Sequence, residues 1–343
     1  MGRIHVRRAY FRCPHCGQGD FAADRVLGLD GYLTVGARRM ACLAGVRQSF
    51  GQAEHLLQAL AGWQLDEETI RQLCHQVAAQ ATTTRTQRAT AKRFAAAGGD
   101  LELQIDAGKV NTLEGWRDVK VAVFARRERG EPASAQEWDQ RELPAPTVRS
   151  VIAAVEEAER FGQRCAAEAE RLNVIEPSTL HVLADGGEWI WNLVAQRFPG
   201  AAQTLDIYHG AEYITAAARA VFGDGKPQTK AQSDQGILRL LADGYWGVVD
   251  WVGELSGQIP VGGDGAALGG ALNYFAGQQE RLGYALRLRR GQPIGSGMVE
   301  GSIKQLLNRR LKQTGARWKT EHVGPFVELH ALANGPEWNA YWN

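Results

Sequence analysis

The chain has 343 residues, of which 44% are apolar and 22% charged, a composition typical of a folded protein of two or three domains with a sizeable core. A net charge of only +1 excludes nucleic-acid binding through overall charge, so any such binding must depend on local basic patches. No apolar run approaches the roughly 20 residues that cross a bilayer, and the basic N-terminus lacks the apolar segment of a signal peptide. The five cysteines are odd in number and scattered, which argues against a disulfide framework. We therefore expect a cytoplasmic protein with no membrane partner.

The sequence opens on a cysteine knuckle. Cys13 and Cys16 have the spacing with which two thiolates bind zinc. A structural zinc site needs four ligands, so His5, His15 or Cys42 would have to complete it. The alternative interpretation is a turn that holds two reduced cysteines.

Residues 1–98 as a whole predict a small, mainly helical N-terminal region. Its helices are predicted over 40–50, 53–60 and 67–79. Asp66 is the expected cap of the third helix, and two short helices joined by a tight turn resemble a helix-turn-helix. The second of these two helices would be an unusual recognition helix for the DNA major groove, because Glu67 and Glu68 lie at its start, where base-contacting residues normally lie. A small helical packing unit fits equally well, and residues 82–98 fit a linker or an exposed helix.

The pattern changes to α/β over residues 99–210. Strands are predicted over 101–106, 117–124, 180–185 and 203–207. Two of these strands end in Asp106 and Asp185, and the last carries Asp206, with His209 opening the helix that follows. The remaining pattern predicts a loop or a hairpin over 128–147 and helices over 151–172 and 188–198.

Residues 211–283 predict an all-helical block without strands. Its helices are predicted over 211–222, 230–256 and 265–282. Residues 284–343 follow, with a glycine-rich turn and then a helix that ends near Gly315. One face of this helix is apolar, at Ile303, Leu306, Leu307 and Leu311. Trp338 and Trp342 lie in a tail that we expect to pack back on the body.

Glu300 opens the helix of residues 300–315, on the side turned toward the core. A carboxylate there is costly to bury unless it pairs or binds a metal. The next acid is Glu321, and the run between them contains the cations Lys304, Arg309, Arg310, Lys312, Arg317 and Lys319. A metal site beside a basic surface that binds a polyanion is one interpretation. The other is a glutamate favoured by the helix dipole, followed by a solvated basic face.

Three acids stand out together by context: Asp106, Asp185 and Glu300. Acids at the ends of neighbouring strands and on a facing helix can converge on one point. Three carboxylates there would form a hard, oxygen-rich site that suits Mg²⁺ or Mn²⁺. Each acid alone also fits an ordinary strand-end or helix-cap carboxylate, but the ordered set with a basic helix favours the metal site.

At these residues the chain resembles a DDE transposase of bacterial insertion sequences, of the Kra-type group, which is distantly similar to eukaryotic Mutator-like transposases. The matching segments are IDAGKVNT at 105–112, LADGGEWIWNLVAQRFPGA at 183–201, LDIYHGAEYI at 205–214 and GSGMVEGSIKQLLNRRLKQTGARW at 295–318. The resemblance extends over nearly the whole chain. Members of the group usually carry a further N-terminal stretch, so a truncated copy, a second reading frame and a domesticated derivative are open alternatives for this chain.

The resemblance implies an α/β, ribonuclease H-like mixed sheet with an all-helical insertion domain at 211–283. It also implies Asp106, Asp185 and Glu300 as catalytic and metal-binding residues for Mg²⁺ or Mn²⁺. The domains expected are 1–98, 99–210 and 284–343, with the helical insertion between the last two. Asp206 and His209 could then support the metal shell or form a structural pair.

The expected function is that of an insertion-sequence transposase, which cuts element ends and joins them to target DNA by two-metal chemistry. Its partner would be double-stranded DNA, bound as a homodimer or higher oligomer. The phosphate contacts would come from Lys304, Arg309, Arg310, Lys312 and Arg317. A related nuclease without strand transfer and a non-catalytic DNA-binding regulator are the alternatives.

Overall fold

The computed structural model describes residues 7–30, 32–81, 84–174, 176–259 and 265–343. His5, one of the proposed zinc ligands, lies outside these ranges. The chain divides into two compact units. The first unit contains 1–90, 109–117 and 304–343, and the second contains 91–108 and 118–303. This grouping is by packing, so the predicted four-part domain division stays a prediction.

The second unit is built on a five-stranded sheet with the strand order β7-β6-β5-β8-β9. Its strands are β5 (Asp100–Thr112), β6 (Gly115–Arg127), β7 (Val148–Ala154), β8 (Leu180–Ala184) and β9 (Ala202–Leu205). β7 runs antiparallel to β6, whereas β8 runs parallel to both β5 and β9. The predicted mixed α/β class is therefore confirmed.

Alternation along β5 separates an apolar face from a polar one. Leu101, Leu103 and Ile105 are buried in a core with two helices, α6 (Ala158–Arg171) and α7 (Glu188–Arg197). On the other face, Glu102 is fully buried and accepts a hydrogen bond from Arg127 Nε at 2.8 Å. Burial raises the pKa of Glu102, and the adjacent guanidinium opposes that rise. The pair offsets the cost of two buried charges, because neither is left alone.

Two of the predicted boundaries in this unit are wrong. The helix predicted over 151–172 is strand β7 followed by the shorter helix α6. The β-branched side chains of Val148, Val151 and Ile152 suit a strand, and all three belong to residues that pair with β6. The first strand also does not end at Asp106 but continues to Thr112, so Asp106 lies inside β5.

The predicted helical block is confirmed, since the described residues of 211–283 contain helices and no strand. The helices are α8 (Ile207–Phe222), α9 (Pro227–Ser256) and α10 (Ala266–Ala276), followed by α11 (Tyr284–Arg289) and α12 (Gly297–Ser302). Trp251, Phe275 and Tyr284 are fully buried in a separate apolar core. α9 is kinked at Gly244, whose φ of 60° a side chain would disfavour.

The first unit is mainly helical. Its helices are α1 (Ala22–Leu27), α2 (Val35–Arg47), α3 (Phe50–Ala61), α4 (Glu67–Gln80), α14 (Thr320–Ala333) and α15 (Glu337–Trp342). A basic helix, α5 (Thr84–Ala96), begins in the first unit and ends in the second, and the short α13 (Arg309–Leu311) follows a π-helical stretch at Ile303–Asn308. Two short hairpins precede α2: β1 (Phe11–Arg12) pairs with β2 (Gly19–Asp20), and β3 (Leu29–Asp30) with β4 (Leu33–Thr34).

Two local predictions in this unit, the cap at Asp66 and the packing of the C-terminal tail, are confirmed. Asp66 caps α4, since its Oδ1 accepts a hydrogen bond from Thr69 N at 2.9 Å. The tail packs back as expected: Trp338 is buried, and Arg39 donates a hydrogen bond to Asn339 Oδ1 at 2.5 Å. Among the described residues, no helix has both the length and the apolarity to cross a membrane.

Candidate metal centre and nucleic-acid surface

Three aspartates lie in one row across the sheet. In the parallel pairing, Ile105 is opposite Ala184, and Ala184 is opposite Leu205. Each of these residues is followed by an aspartate: Asp106, Asp185 and Asp206. Because neighbouring strands lie about 4.8 Å apart, this register places the three aspartates side by side. The sequence predicts Asp106 and Asp185 as metal ligands and Asp206 as either a support of the metal shell or part of a structural pair.

Glu300 reaches this row on α12. Gln104, two residues before Asp106, accepts hydrogen bonds at its Oε1 from Met298 N at 3.0 Å and Val299 N at 3.1 Å. These bonds attach the first turn of α12 to β5, because the orphan amides of the helix start use a strand side chain as their acceptor. Glu300 is half-buried there. The sequence analysis missed Gln104, whose partner amides are nearly 200 residues away, 194 and 195 positions along the chain.

Asp206 joins the turn before α12 to the sheet. Its Oδ1 caps α8 by accepting from Tyr208 N at 2.7 Å, and its Oδ2 accepts from Ser296 N at 3.0 Å and from Ser296 Oγ. Ser296 Oγ also lies 3.3 Å from Glu300 Oε1. Asp206 is only 2% exposed, so these bonds replace the water that a surface carboxylate would have. The side chain thus fixes the position from which Glu300 is presented.

The four acids share one electrostatic environment. The pKa of Asp106 is raised to about 6, first by burial and then by the negative charges of Asp185, Glu300 and Asp206. A hydrogen bond from Ala107 N at 2.6 Å opposes the shift. Like charges raise one another's pKa only when they are close. Asp185, Glu300 and Asp206 are therefore near enough to Asp106 to act on it electrostatically.

A divalent cation fits this donor set. All four side chains offer carboxylate oxygens, the ligands that Mg²⁺ and Mn²⁺ prefer. Within the described ranges, no three His, Cys, Asp or Glu side chains are gathered closely enough to hold an ion as they stand. The two observations are compatible, since charges interact over longer distances than those of metal ligands. A cation would offset the burial and the repulsion that together raise the pKa of Asp106.

His209 lies against an aromatic cluster from the helical block. Its ring centroid is 5.7 Å from that of Tyr213 and 6.0 Å from that of Tyr274, and the two tyrosine rings stack at 3.7 Å. Tyr274 also contacts the loop after Asp185, because a Cβ on Gly186 would lie 2.4 Å from its hydroxyl oxygen. Gly186 is therefore needed for this close approach. The structure gives His209 a packing role, and its predicted support of a metal shell stays a prediction.

Cation binding at this centre should depend on pH. The pKa of Asp106 lies at about 6 in the folded protein against an ordinary value of 3.8. Without metal, this group favours the folded state most below its ordinary pKa, and that contribution is lost as pH rises through about 6. A cation must displace the proton, so Mn²⁺ affinity should fall between about pH 7 and pH 5 with proton uptake by the free site. Calorimetry in buffers of different ionisation heat measures both quantities.

Asp106→Asn should bind Mn²⁺ weakly and with little dependence on pH, whereas Glu321→Gln, an exposed acid of the other unit, should behave as wild type. A wild-type affinity that stays constant over this pH range would contradict the assignment of Asp106 as a ligand.

The predicted basic helix divides into exposed and buried cations. Lys304, Arg309, Lys312 and Arg317 are exposed and can contact phosphates. Arg310 is not available for this role, and its assignment is corrected, because it is only 3% exposed. Four of the five predicted phosphate contacts thus remain open to DNA.

Arg310 lies in a cage of aromatic rings inside the first unit. Its guanidinium carbon is 4.7 Å from the ring centre of Phe50, 5.2 Å from Trp318 and 5.0 Å from Phe326. Its Nε donates to Gly45 O at 3.1 Å, and burial lowers its pKa to about 10. The cation is held by ring faces and a carbonyl rather than by a carboxylate.

Replacing exposed and buried cations should have different consequences. Arg309→Ala with Lys312→Ala should weaken binding to all DNA sequences alike and reduce the salt dependence by about one counterion per lost phosphate contact. Arg310→Ala should instead destabilise the fold by roughly 2–4 kcal/mol, since it empties a packed cage. Fluorescence anisotropy at several salt concentrations and thermal unfolding separate the two effects. A sequence-specific loss in the double variant would contradict the phosphate assignment.

The cysteine knuckle is an exposed turn at the end of the β1–β2 hairpin. Cys13 N donates to Gln18 O at 2.7 Å, and Gly17 N donates to Cys13 O at 3.0 Å. Backbone amides of Cys16 and His15 lower the pKa of Cys13. Both thiols are exposed, whereas Cys42 is fully buried beside Cys74 in the helical core. The structure does not bring Cys42 to the knuckle, and zinc binding by Cys13 and Cys16 stays a prediction.

Comparison with models of protein families and with curated proteins finds no match to this chain. A function is therefore inferred from the arrangement of the acids and the distribution of exposed cations.

Proposed function

We propose that this protein is a metal-dependent DNA transposase of the DDE type with a ribonuclease H-like core. The observation that carries the proposal is the row of Asp106, Asp185 and Asp206 on adjacent strands, with Glu300 presented to it by α12. Burial and the negative charges of Asp185, Glu300 and Asp206 raise the pKa of Asp106, and strongly perturbed carboxyl groups cluster at functional sites. The five-stranded mixed sheet followed by a helical block is consistent with such a core.

The acids have distinct roles in this proposal. Asp106 and Asp185 hold Mg²⁺ or Mn²⁺, and Glu300 completes the donor set. When bound, the cations supply activation of a hydroxyl nucleophile and charge stabilisation of the leaving oxygen of a phosphodiester. Asp206 acts through Ser296, because its hydrogen bonds fix the turn from which Glu300 projects. A neutral Asp106 would have to lose its proton before its carboxylate could act as a ligand.

DNA would be held through its phosphates. The exposed cations Lys304, Arg309, Lys312 and Arg317 suit the backbone of double-stranded DNA, and such contacts position a duplex without reading its sequence. A net charge of only +1 makes this local patch more important than the overall field. Cutting and joining two element ends would be carried out by a homodimer or a higher oligomer on DNA.

The test is Mg²⁺-dependent cleavage of a duplex that carries the DNA sequences flanking the gene. We expect cleavage at the element end, followed by attack of the freed 3′-hydroxyl on target DNA. A duplex with pre-cut ends then separates the alternatives: joining to target identifies a transposase, and hydrolysis without joining identifies a nuclease. Binding without any nicking would leave a non-catalytic DNA-binding regulator and reject the catalytic proposal.

A further inference from the structure

The hairpin formed by β5 and β6 exposes two large apolar side chains near its tip. In this hairpin tip, defined as residues 109–117, Leu113 is 59% exposed and Trp116 is 61% exposed. Neither side chain can contribute much burial energy to the fold, because most of its surface remains in water. Leu113 lies in the two-residue connection, where Asn, Asp or Gly is more usual, and Trp116 is the second residue of β6. Burial in the fold therefore explains neither side chain.

The backbone of the hairpin tip is fixed within the first unit. Thr112 Oγ1 donates to Gly115 O at 2.7 Å and accepts from Glu114 N at 3.2 Å. Leu113 N donates to Trp318 O at 2.9 Å, and Trp318 N donates to Asn111 O at 3.1 Å.

Trp318 is itself buried against Phe50 and Phe326, with ring centroids 6.2 Å and 4.9 Å away. The hairpin tip is thus anchored to the aromatic core of its unit while its two apolar side chains project into solvent. Such an arrangement holds a side chain ready for a partner at little entropic cost.

Four cations lie on the hairpin tip and on the segment paired with it. Lys109 and Arg117 lie on the hairpin tip, and Arg317 and Lys319 lie on either side of Trp318 in the segment paired with it. All four are exposed. Across residues 109–117 and 317–319, the one acid is Glu114, which accepts a hydrogen bond from Thr320 Oγ1. The surface therefore combines a flat aromatic ring with an excess of positive charge.

We propose that the hairpin tip binds DNA, with Trp116 stacked on an unpaired base and the four cations on the adjacent phosphates. Aromatic rings stack on any base, and basic side chains follow the backbone, so this pairing of residue types suits unpaired nucleic acid. A stable protein interface would need a much larger apolar area than two side chains offer. The inference rests on the proposed function, in which cut element ends supply bases without a partner.

The experiment compares two duplexes of equal length, one blunt and one with several unpaired nucleotides at one end, in fluorescence anisotropy titrations with the full chain. Wild type should prefer the frayed duplex. Trp116→Ala should weaken binding to the frayed duplex by roughly tenfold or more and leave the blunt duplex almost unchanged. Trp116→Phe, which keeps a ring, should retain most of the preference. Trp246→Ala, a 68% exposed tryptophan on α9, is the matched control and should bind as wild type.

The salt dependence separates stacking from charge. Trp116→Ala should leave the salt slope unchanged, whereas Arg317→Ala should lower it by about one counterion on both duplexes. Equal affinity of wild type and Trp116→Ala for the frayed duplex would overturn the inference, and so would an equal loss on both duplexes. Thermal unfolding of each variant verifies that the fold is intact.

The outcome is distinguishable from a failure of the proposed function. Binding to frayed DNA through Trp116 without any Mg²⁺-dependent cleavage would retain the hairpin tip as a DNA contact and reject the transposase proposal. Cleavage that does not depend on Trp116, with unaltered binding, would reject the hairpin tip alone.

Discussion

Replacing Glu300 with Gln is expected to reduce Mg²⁺-dependent DNA cleavage by on the order of a hundred- to a thousandfold, with little change in DNA affinity. The substitution keeps the size of the side chain and removes its charge. Glu300 is half-buried on the first turn of α12, and the hydrogen bonds that seat this turn use backbone amides of Met298 and Val299. The fold should therefore be preserved while the donor set loses one carboxylate.

Asp106→Asn and Asp185→Asn should give losses of the same order if, as proposed, all three acids belong to one site. Losses that act through one site are not additive, so a double variant should be little worse than either single variant. Glu321→Gln is the matched control, an exposed glutamate in the first turn of α14. Rates are measured as single-turnover cleavage at saturating protein. Wild-type rates in any of the three single variants would contradict the shared site.

Asp206→Asn is expected to have the second large effect, a loss of unfolding free energy of about 2–4 kcal/mol. The carboxylate is 2% exposed and accepts hydrogen bonds from Tyr208 N, Ser296 N and Ser296 Oγ. An asparagine has one oxygen and one amide nitrogen, so at least one donor would face another donor. Cleavage should fall as well, since the turn that presents Glu300 would lose its anchor.

Ser296→Ala is the graded comparison for this position. It removes one hydroxyl bond to Asp206 and leaves the bond from the Ser296 amide, so we expect a loss of about 1 kcal/mol. Urea unfolding of both single variants and of the double variant measures the coupling between the two side chains. Additive losses would show that Asp206 and Ser296 act separately. An Asp206→Asn protein as stable as wild type would contradict the anchoring role.

The elements that depend on local pattern could be predicted from the sequence. The alternation in β5, the strand ends at Asp185 and Asp206 and the cap at Asp66 follow from neighbours within a few residues. The helix predicted over 151–172 failed because β7 gains its stability from pairing with β6, a contact that no local pattern contains.

The parts that could not be predicted depend on residues far apart in the chain. Arginine is a residue type that commonly contacts phosphate, and the sequence around Arg310 is basic. In the folded unit, however, the ring of Phe50, 260 positions earlier in the chain, packs against its guanidinium. Ser296 likewise meets Asp206 across 90 positions. Strand register, which aligns the three aspartates, is also set only when the parallel strands assemble.

The most direct test of the metal centre is a crystal structure of the protein soaked with Mn²⁺, examined by anomalous diffraction. We expect an anomalous peak with carboxylate oxygens of Asp106, Asp185 and Glu300 among its ligands, at the distances of about 2.0–2.3 Å typical of hard cations. The same peak should be absent from Asp185→Asn crystals. An anomalous peak bound elsewhere, or no peak at this row of carboxylates in wild-type crystals at saturating Mn²⁺, would contradict the account.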